Sequence, residues 1–261
     1  MFLSEPGKTP YDLNFNILGF DCRVHPAFFV LPVLFGANIG GGDMNAGVGI
    51  LVMALVFFVS ILVHELGHTL AFRYYGIHSR VVLYWMGGLA IPDSGGWMRQ
   101  SNAKSLKPEQ QIVVSGAGPA AGLLLAALAT LLMVGLGYRV SLPLDGPIPF
   151  PKFAQTEHSM LSNLPVLETM LLMFVVVNVF LNLLNLLPVF PLDGGQIARQ
   201  IFVKVDPWGG VRNSVILSLV VAVFIALYAF KVDRFMGFFF GFMAWSNFQM
   251  LQNSGNNRRP W

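Results

Sequence analysis

The chain has 261 residues, of which 55% are hydrophobic and only 11% charged, against roughly 25% charged in an ordinary soluble domain. With a mean hydropathy of +0.64, that composition excludes a soluble globular fold and points to an integral membrane protein with a handful of spans and short loops. The net charge of +3 comes from scattered basic residues with no stripe of the kind that binds nucleic acid, and the single Cys22 excludes an intramolecular disulfide or a cysteine-only metal site.

The N-terminal stretch MFLSEPGKTPYDLN lacks the apolar core of a signal peptide. Apolar runs then follow at about 24–40, 48–70, 111–136, 169–187, 214–230 and 235–251. The first is short and contains Pro32, so it could be re-entrant, but loop charges favour a span. With six spans, one set of alternate segments holds 12 of the 16 Lys and Arg residues and the other holds 4. The positive-inside rule then places both termini in the cytoplasm. Between the second and third runs, VVLYWMGGLAI at 81–91 reads as a short strand or hairpin, and the Pro-rich stretch 137–167 reads as irregular. The expectation is an all-α polytopic membrane protein of about six transmembrane helices, with a short membrane-associated β-hairpin or strand.

The second run carries ILVHELGHTLAF at 61–72. His64 and His68 are four apart, so on a helix both imidazoles share one face and can reach one Zn²⁺. Glu65 sits to the side, where it can take a proton from a metal-bound water that attacks a carbonyl. Such groups can also serve as hydrogen-bonded helix contacts, but ionisable residues inside a span are costly and generally functional.

A catalytic zinc takes three protein ligands and leaves a place for water. In the fourth region, NLLNLLPVFPLDGGQ at 182–196, Asp193 lies between Pro191 and Gly194–Gly195. Pro, Asp and Gly-Gly also make an ordinary turn or helix cap. Topology supports the ligand, because spans two and four run in the same direction and carry His64, His68 and Asp193 to the same membrane face. Asn178, Asn182 and Asn185 share a helix face. Asn178 suits an interhelical hydrogen bond, whereas Asn185, and with it Asn182, could hold a substrate carbonyl or the developing oxyanion.

These motifs together resemble the site-2 protease family of intramembrane zinc metalloproteases, peptidase family M50. The resemblance rests on HELGH in a span and NLLPVFPLDGG, with WMGGLA, SGAGPAAG and VHPAFFV in support, and covers most of 23–204. It implies one Zn²⁺ per chain held by His64, His68 and Asp193, Glu65 as general base, and a three-helix catalytic core from spans two to four. It implies hydrolysis of a peptide bond in or near a transmembrane segment of a membrane-protein substrate. The family often has Gly-Pro-x-x-Asn in the third span, whereas here Gly118-Pro119 is followed by Gly122, leaving a small-xxx-small contact.

The expectation is one membrane-embedded domain over 1–261, with its catalytic core at about 45–205. No PDZ or CBS module fits, so regulatory membrane partners would act in trans. The location expected is the lipid bilayer of a bacterial inner membrane, with the active-site opening cytoplasmic. Two alternatives stand beside this reading: a membrane zincin using Glu109, Glu157 or Glu168 as third ligand, and an inert scaffold or metal-binding protein. Glu157 and Glu168 fall toward the wrong face, and a scaffold needs no general base. The segment 81–91 would offer a strand edge to an unwound substrate, with Gly87 and Gly88 permitting close backbone approach. The competing role is an interfacial loop anchored by Tyr84 and Trp85. His25 suits a cap at a membrane boundary, His78 and His158 a solvated loop, and 235–245 a lipid-facing helix.

Overall fold

The computed structural model describes residues 5–37, 39, 45–92, 106–141, 151–156, 159–161 and 163–256. The chain begins with a hairpin of β1 (Leu13–Ile17) and β2 (Phe20–Val24), a 3₁₀ turn at Pro26–Phe29 and α1 (Val30–Gly36). Next come α2 (Ala46–Tyr74), a second hairpin of β3 (Ser79–Tyr84) and β4 (Gly87–Pro92), and α3 (Pro108–Gly135). The pair β5 (Tyr138–Ser141) and β6 (Lys152–Gln155) leads to α4 (Pro165–Asn185), α5 (Asp193–Val205), α6 (Gly210–Val232) and α7 (Arg234–Asn256). By contact, the chain forms two compact units, Met1–Ala103 with Ala120–Asn182, and Lys104–Pro119 with Leu183–Trp261.

Among the described residues, four helices, α2, α3, α4 and α6, are long and apolar enough to cross a membrane. The runs expected as the first and last spans differ from these. The apolar helix Pro26–Gly36 is too short to cross alone. It lies along the first half of α2, with Phe28 edge-on to Phe58 and Phe35 stacked on Phe57. Gly36 meets Gly49 so closely that a β-carbon on either would strike the other helix's backbone. At the other end, α7 has ample length, but Ser246, Asn247, Gln249 and Gln252 make its second half polar.

The expected hairpin at 81–91 is present as β3–β4, paired antiparallel with Leu83 opposite Gly88 and Tyr84 opposite Gly87. Gly87 makes the tight reversal, with φ +120°, a conformation that a residue with a β-carbon rarely adopts. The hairpin belongs to a larger sheet of order β1-β2-β3-β4, in which β2 and β3 run parallel. Phe20, Cys22 and Val24 alternate onto one face, as the pleat dictates, and pack with Val81, Leu83, Phe28 and α2 residues Ile61, Leu62 and Leu66. The antiparallel pair β5–β6 lies in the stretch read as irregular.

The N-terminal segment is fastened to this sheet by Arg23. Its guanidinium donates to Asp12 and Glu5, both at 2.9 Å, and to the Pro6 carbonyl, also at 2.9 Å. A buried charge is tolerated only with such pairing. Asp12 is pushed down to about 2, first by the Thr9 hydroxyl that donates to it and further by Arg23. Burial, with Asp21 nearby, pushes the Cys22 thiol up to about 11, so it is no nucleophile.

In the second unit, α6 and α7 are joined through Asp233 and share a core of Ala222, Ala226, Phe240, Met243 and Ala244. Val189, from the segment just before α5, is buried in the same cluster. The run 235–245 is therefore only partly lipid-facing: Phe238 and Trp245 are exposed, and Phe240 is not.

Candidate functional site

Helix α2 buries His64, Glu65 and His68 completely enough that none is more than 7% exposed. The four-residue spacing brings the two imidazoles edge to face, with Nε2 of His64 3.1 Å from Nε2 of His68. Two neutral ring nitrogens this close share either a proton or a cation between their lone pairs. Strand β4 closes over Glu65: a β-carbon at Gly88 would overlap its Cγ and carboxyl group. Burial, followed by the charge of Glu65, pushes the phenol of Tyr84 up to about 12. Tyr84 is buried while Trp85 is half exposed, so only Trp85 could anchor this turn at an interface.

Helix α4 separates its three asparagines into different settings. Asn178 donates to Ser60 Oγ on α2 at 2.8 Å, the interhelical bond its position suggested. Asn182 is fully buried, with Oδ1 2.8 Å from His64 Nδ1 and Nδ2 donating to the Asn178 carbonyl. Both ends of its amide are thus engaged within the protein. Asn185 is half-buried at the end of α4, and its side chain makes no hydrogen bond among the described residues.

Asp193 is the first residue of α5, so the Pro-Leu-Asp-Gly-Gly stretch acts as a helix start. Gly194 and Gly195 lie directly against the main chain of 186–190; a β-carbon on either would meet carbonyl groups there. Phe190 is held from both sides. Its N–H donates to Ser218 Oγ on α6 at 3.0 Å, and its carbonyl accepts from Asn247 Nδ2 on α7 at 2.7 Å. Sequence reading missed Ser218 and Asn247 as supports of this segment. Their signal was weak: Ser218 follows Ser214 in a mostly apolar run, and Asn247 sits among Ser246 and Gln249 in another.

His64 and His68 offer two imidazoles from one face of α2, and Asp193 offers a carboxylate at the start of α5. That donor set suits a borderline divalent ion. Two of the three alternative glutamates are otherwise occupied. Glu109 is spent in an exposed ion pair with Lys204 at 2.9 Å, and Glu168 accepts from Gln155 at 2.8 Å. Glu157 and His158 lie outside the described residues. His25 caps the 3₁₀ turn through Nδ1, which accepts from Ala27 N–H, and His78 is exposed.

The sequence model of peptidase family M50 matches residues 52–229. A zinc metalloprotease of Methanocaldococcus jannaschii is 27% identical over 192 residues, which is 73% of this chain and 45% of that protein. A candidate zinc metalloprotease of Synechocystis sp. is 28% identical over 198 residues, 71% of this chain and 42% of the relative. The chain thus spans less than half the length of these curated relatives. A solved structure of a site-2 protease from Methanocaldococcus jannaschii shares the fold, with a TM-score of 0.55 at 20% identity, covering 92% of this chain and 95% of that one.

Proposed function

The chain belongs to peptidase family M50, and on that premise we propose that it is an intramembrane zinc metalloendopeptidase cutting membrane-protein substrates in or near a transmembrane segment. The observation that carries this reading is the pair of buried Nε2 atoms 3.1 Å apart beside a buried glutamate, on a helix long enough to span a bilayer. His64, His68 and Asp193 are the proposed ligands and Glu65 the general base. Zinc held there would lower the pKa of its bound water and polarise the scissile carbonyl. Glu65 then takes the water's proton and returns it to the leaving amine. Asn185, whose side chain makes no hydrogen bond among the described residues, would hold the carbonyl oxygen as charge develops on it.

A helical substrate keeps its carbonyls in its own hydrogen bonds, and lipid offers the freed groups no partner once it unwinds. The outer edge of β4 supplies one. No further strand pairs with β4 among the described residues, and its Gly88 lies against Glu65. An unwound segment added to that edge would be presented to the base, with Gly87 and Gly88 allowing the approach. The proposed setting is the bilayer of a bacterial inner membrane, with both termini and the site opening cytoplasmic and any regulatory membrane partners acting in trans.

The test uses Glu65→Gln, which keeps the volume and loses the proton acceptor. The variant is expected to retain zinc while cleavage of a reconstituted single-span substrate falls by roughly 10²–10⁴. Cleavage within about threefold of the parent would remove Glu65 as base on that same scale. A parent without zinc or cleavage would leave the inert-scaffold reading standing.

A further inference from the structure

We propose that Asn182 is a positioning residue that locks His64 into the single tautomer able to present Nε2 to a metal, and that Gly122 provides its seat. The inference rests on the reading of His64 as a ligand and deepens it.

The argument runs through atoms whose roles are fixed by chemistry. Nδ2 of Asn182 donates to the Asn178 carbonyl at 2.6 Å. A peptide carbonyl can only accept, so the nitrogen end of the amide belongs there. The oxygen end therefore faces His64 Nδ1, at 2.8 Å. An amide oxygen also only accepts, so the proton of a neutral His64 imidazole sits on Nδ1. Nε2 is left with its lone pair, and Nε2 is the atom 3.1 Å from His68 Nε2. A main-chain carbonyl on α4 thus dictates which nitrogen of an α2 histidine is free to ligate. Partners of this kind fix the orientation of metal-binding histidines and raise their basicity.

Space for the amide comes from α3. A β-carbon at Gly122 would overlap Nδ2, Oδ1 and Cγ of Asn182. The sequence suggested a simple small-residue helix contact at this glycine; the structure shows a notch filled by the asparagine. Docking of α4 on α2 has its own bond, Asn178 to Ser60 Oγ, one turn away. Asn182 is therefore not needed merely to hold the two helices together.

The experiment measures zinc affinity by chelator competition, thermal stability of the zinc-free protein, and the protonation of the histidine nitrogens by ¹⁵N NMR. The set comprises the parent, His64→Ala, Asn182→Leu, Asn182→Asp and Gly122→Ala. Asn182→Leu and Gly122→Ala are expected to weaken zinc binding by roughly 10- to 100-fold. Asn182→Asp, which keeps an accepting oxygen, should stay within about threefold of the parent. In the zinc-free parent, the resonance lost in His64→Ala should show Nδ1 protonated and Nε2 bare. Zinc retained by His64→Ala would sink the ligand reading, and the proposal with it. Zinc lost from His64→Ala but bound normally by Asn182→Leu and Gly122→Ala would overturn the proposal alone. So would a bare Nδ1 in the parent, or an Asn182→Asp as weak as Asn182→Leu, which would reduce the residue to a space filler.

Discussion

The histidines and the aspartate are placed by two different kinds of architecture. His64 and His68 stand inside a 29-residue helix, where the backbone's own hydrogen bonds fix their spacing. Asp193 opens a 13-residue helix after a non-helical segment that has only a few local turn bonds, from Val189 N–H to the Leu187 carbonyl and from Leu192 N–H to the Val189 carbonyl. Its position depends on glycines pressed against the main chain and on side chains from two distant helices. A helix-borne ligand should tolerate the loss of a neighbouring contact, whereas a loop-borne ligand should not.

The largest effect is expected at Gly195. A β-carbon there meets the backbone of Val189 and Phe190, which has no free end to swing aside. Overpacking of this kind costs about 1–3 kcal/mol or more. Gly195→Ala should therefore lower zinc affinity by roughly 10- to 100-fold, read by chelator competition. Unchanged affinity would show that the segment yields more easily than its packing implies.

Ser218→Ala comes next. It strips the half-buried Phe190 N–H of its acceptor, a loss of about 1–3 kcal/mol. Asn247→Leu should cost less, because it also removes Asn247 Oδ1, a buried atom that itself has no partner. Denaturation in detergent, followed together with zinc release, should rank Ser218→Ala below Asn247→Leu in both readings. The reverse order would mean that α7 rather than α6 governs the segment.

Thr69→Ala supplies the contrast on the helix side. The Thr69 hydroxyl donates to the Leu66 carbonyl beside His68, and its removal leaves that carbonyl to the helix ladder. Stability should drop by no more than about 1 kcal/mol, with zinc affinity unmoved. A zinc affinity that falls as far as in Ser218→Ala would erase the distinction between the two architectures.

The smallest effect lies away from both, at Asp12. Its carboxyl titrates at about 2 in the fold against an ordinary value of 3.8. Its stabilisation is thus complete above about pH 4 and is lost as the pH falls toward 2. The difference in melting temperature between the parent and Asp12→Asn should be flat above pH 4 and close over that acidic interval.

How much of this was legible in the sequence follows the same division. The histidine pair was legible because helical periodicity converts a spacing of four into a shared face. Asp193 was singled out, but its place at the start of a helix was not, since Pro, Asp and Gly serve turns and helix starts alike. The hairpin at β3–β4 was visible in its β-branched run and its glycines. Strands β1 and β2 were not, because LNFNI and FDCRV mix polar and apolar residues over only five positions each. The second partner of β2, strand β3, lies beyond α2, and a pattern read along the chain carries no record of pairing at that distance. Asn182 fell to a similar blindness: three asparagines on one face look equivalent until each is given its own neighbour.

The parallel pairing of β2 with β3, Cys22 opposite Val81, sets an order in time. All of α1 and α2 is synthesised between these two strands. The first hairpin therefore waits, unpaired on one side, until the histidine-bearing helix has been made and the chain has come back. Closing so long a loop is slow, whereas β3 and β4, adjacent in sequence, can pair as soon as both are made. A nascent chain thus carries His64, Glu65 and His68 well before it carries Gly88, the residue that packs against Glu65. The edge proposed to receive a substrate is among the last parts of the sheet to be made, so on the proposed reading a half-made molecule has its base but no place to lay a strand.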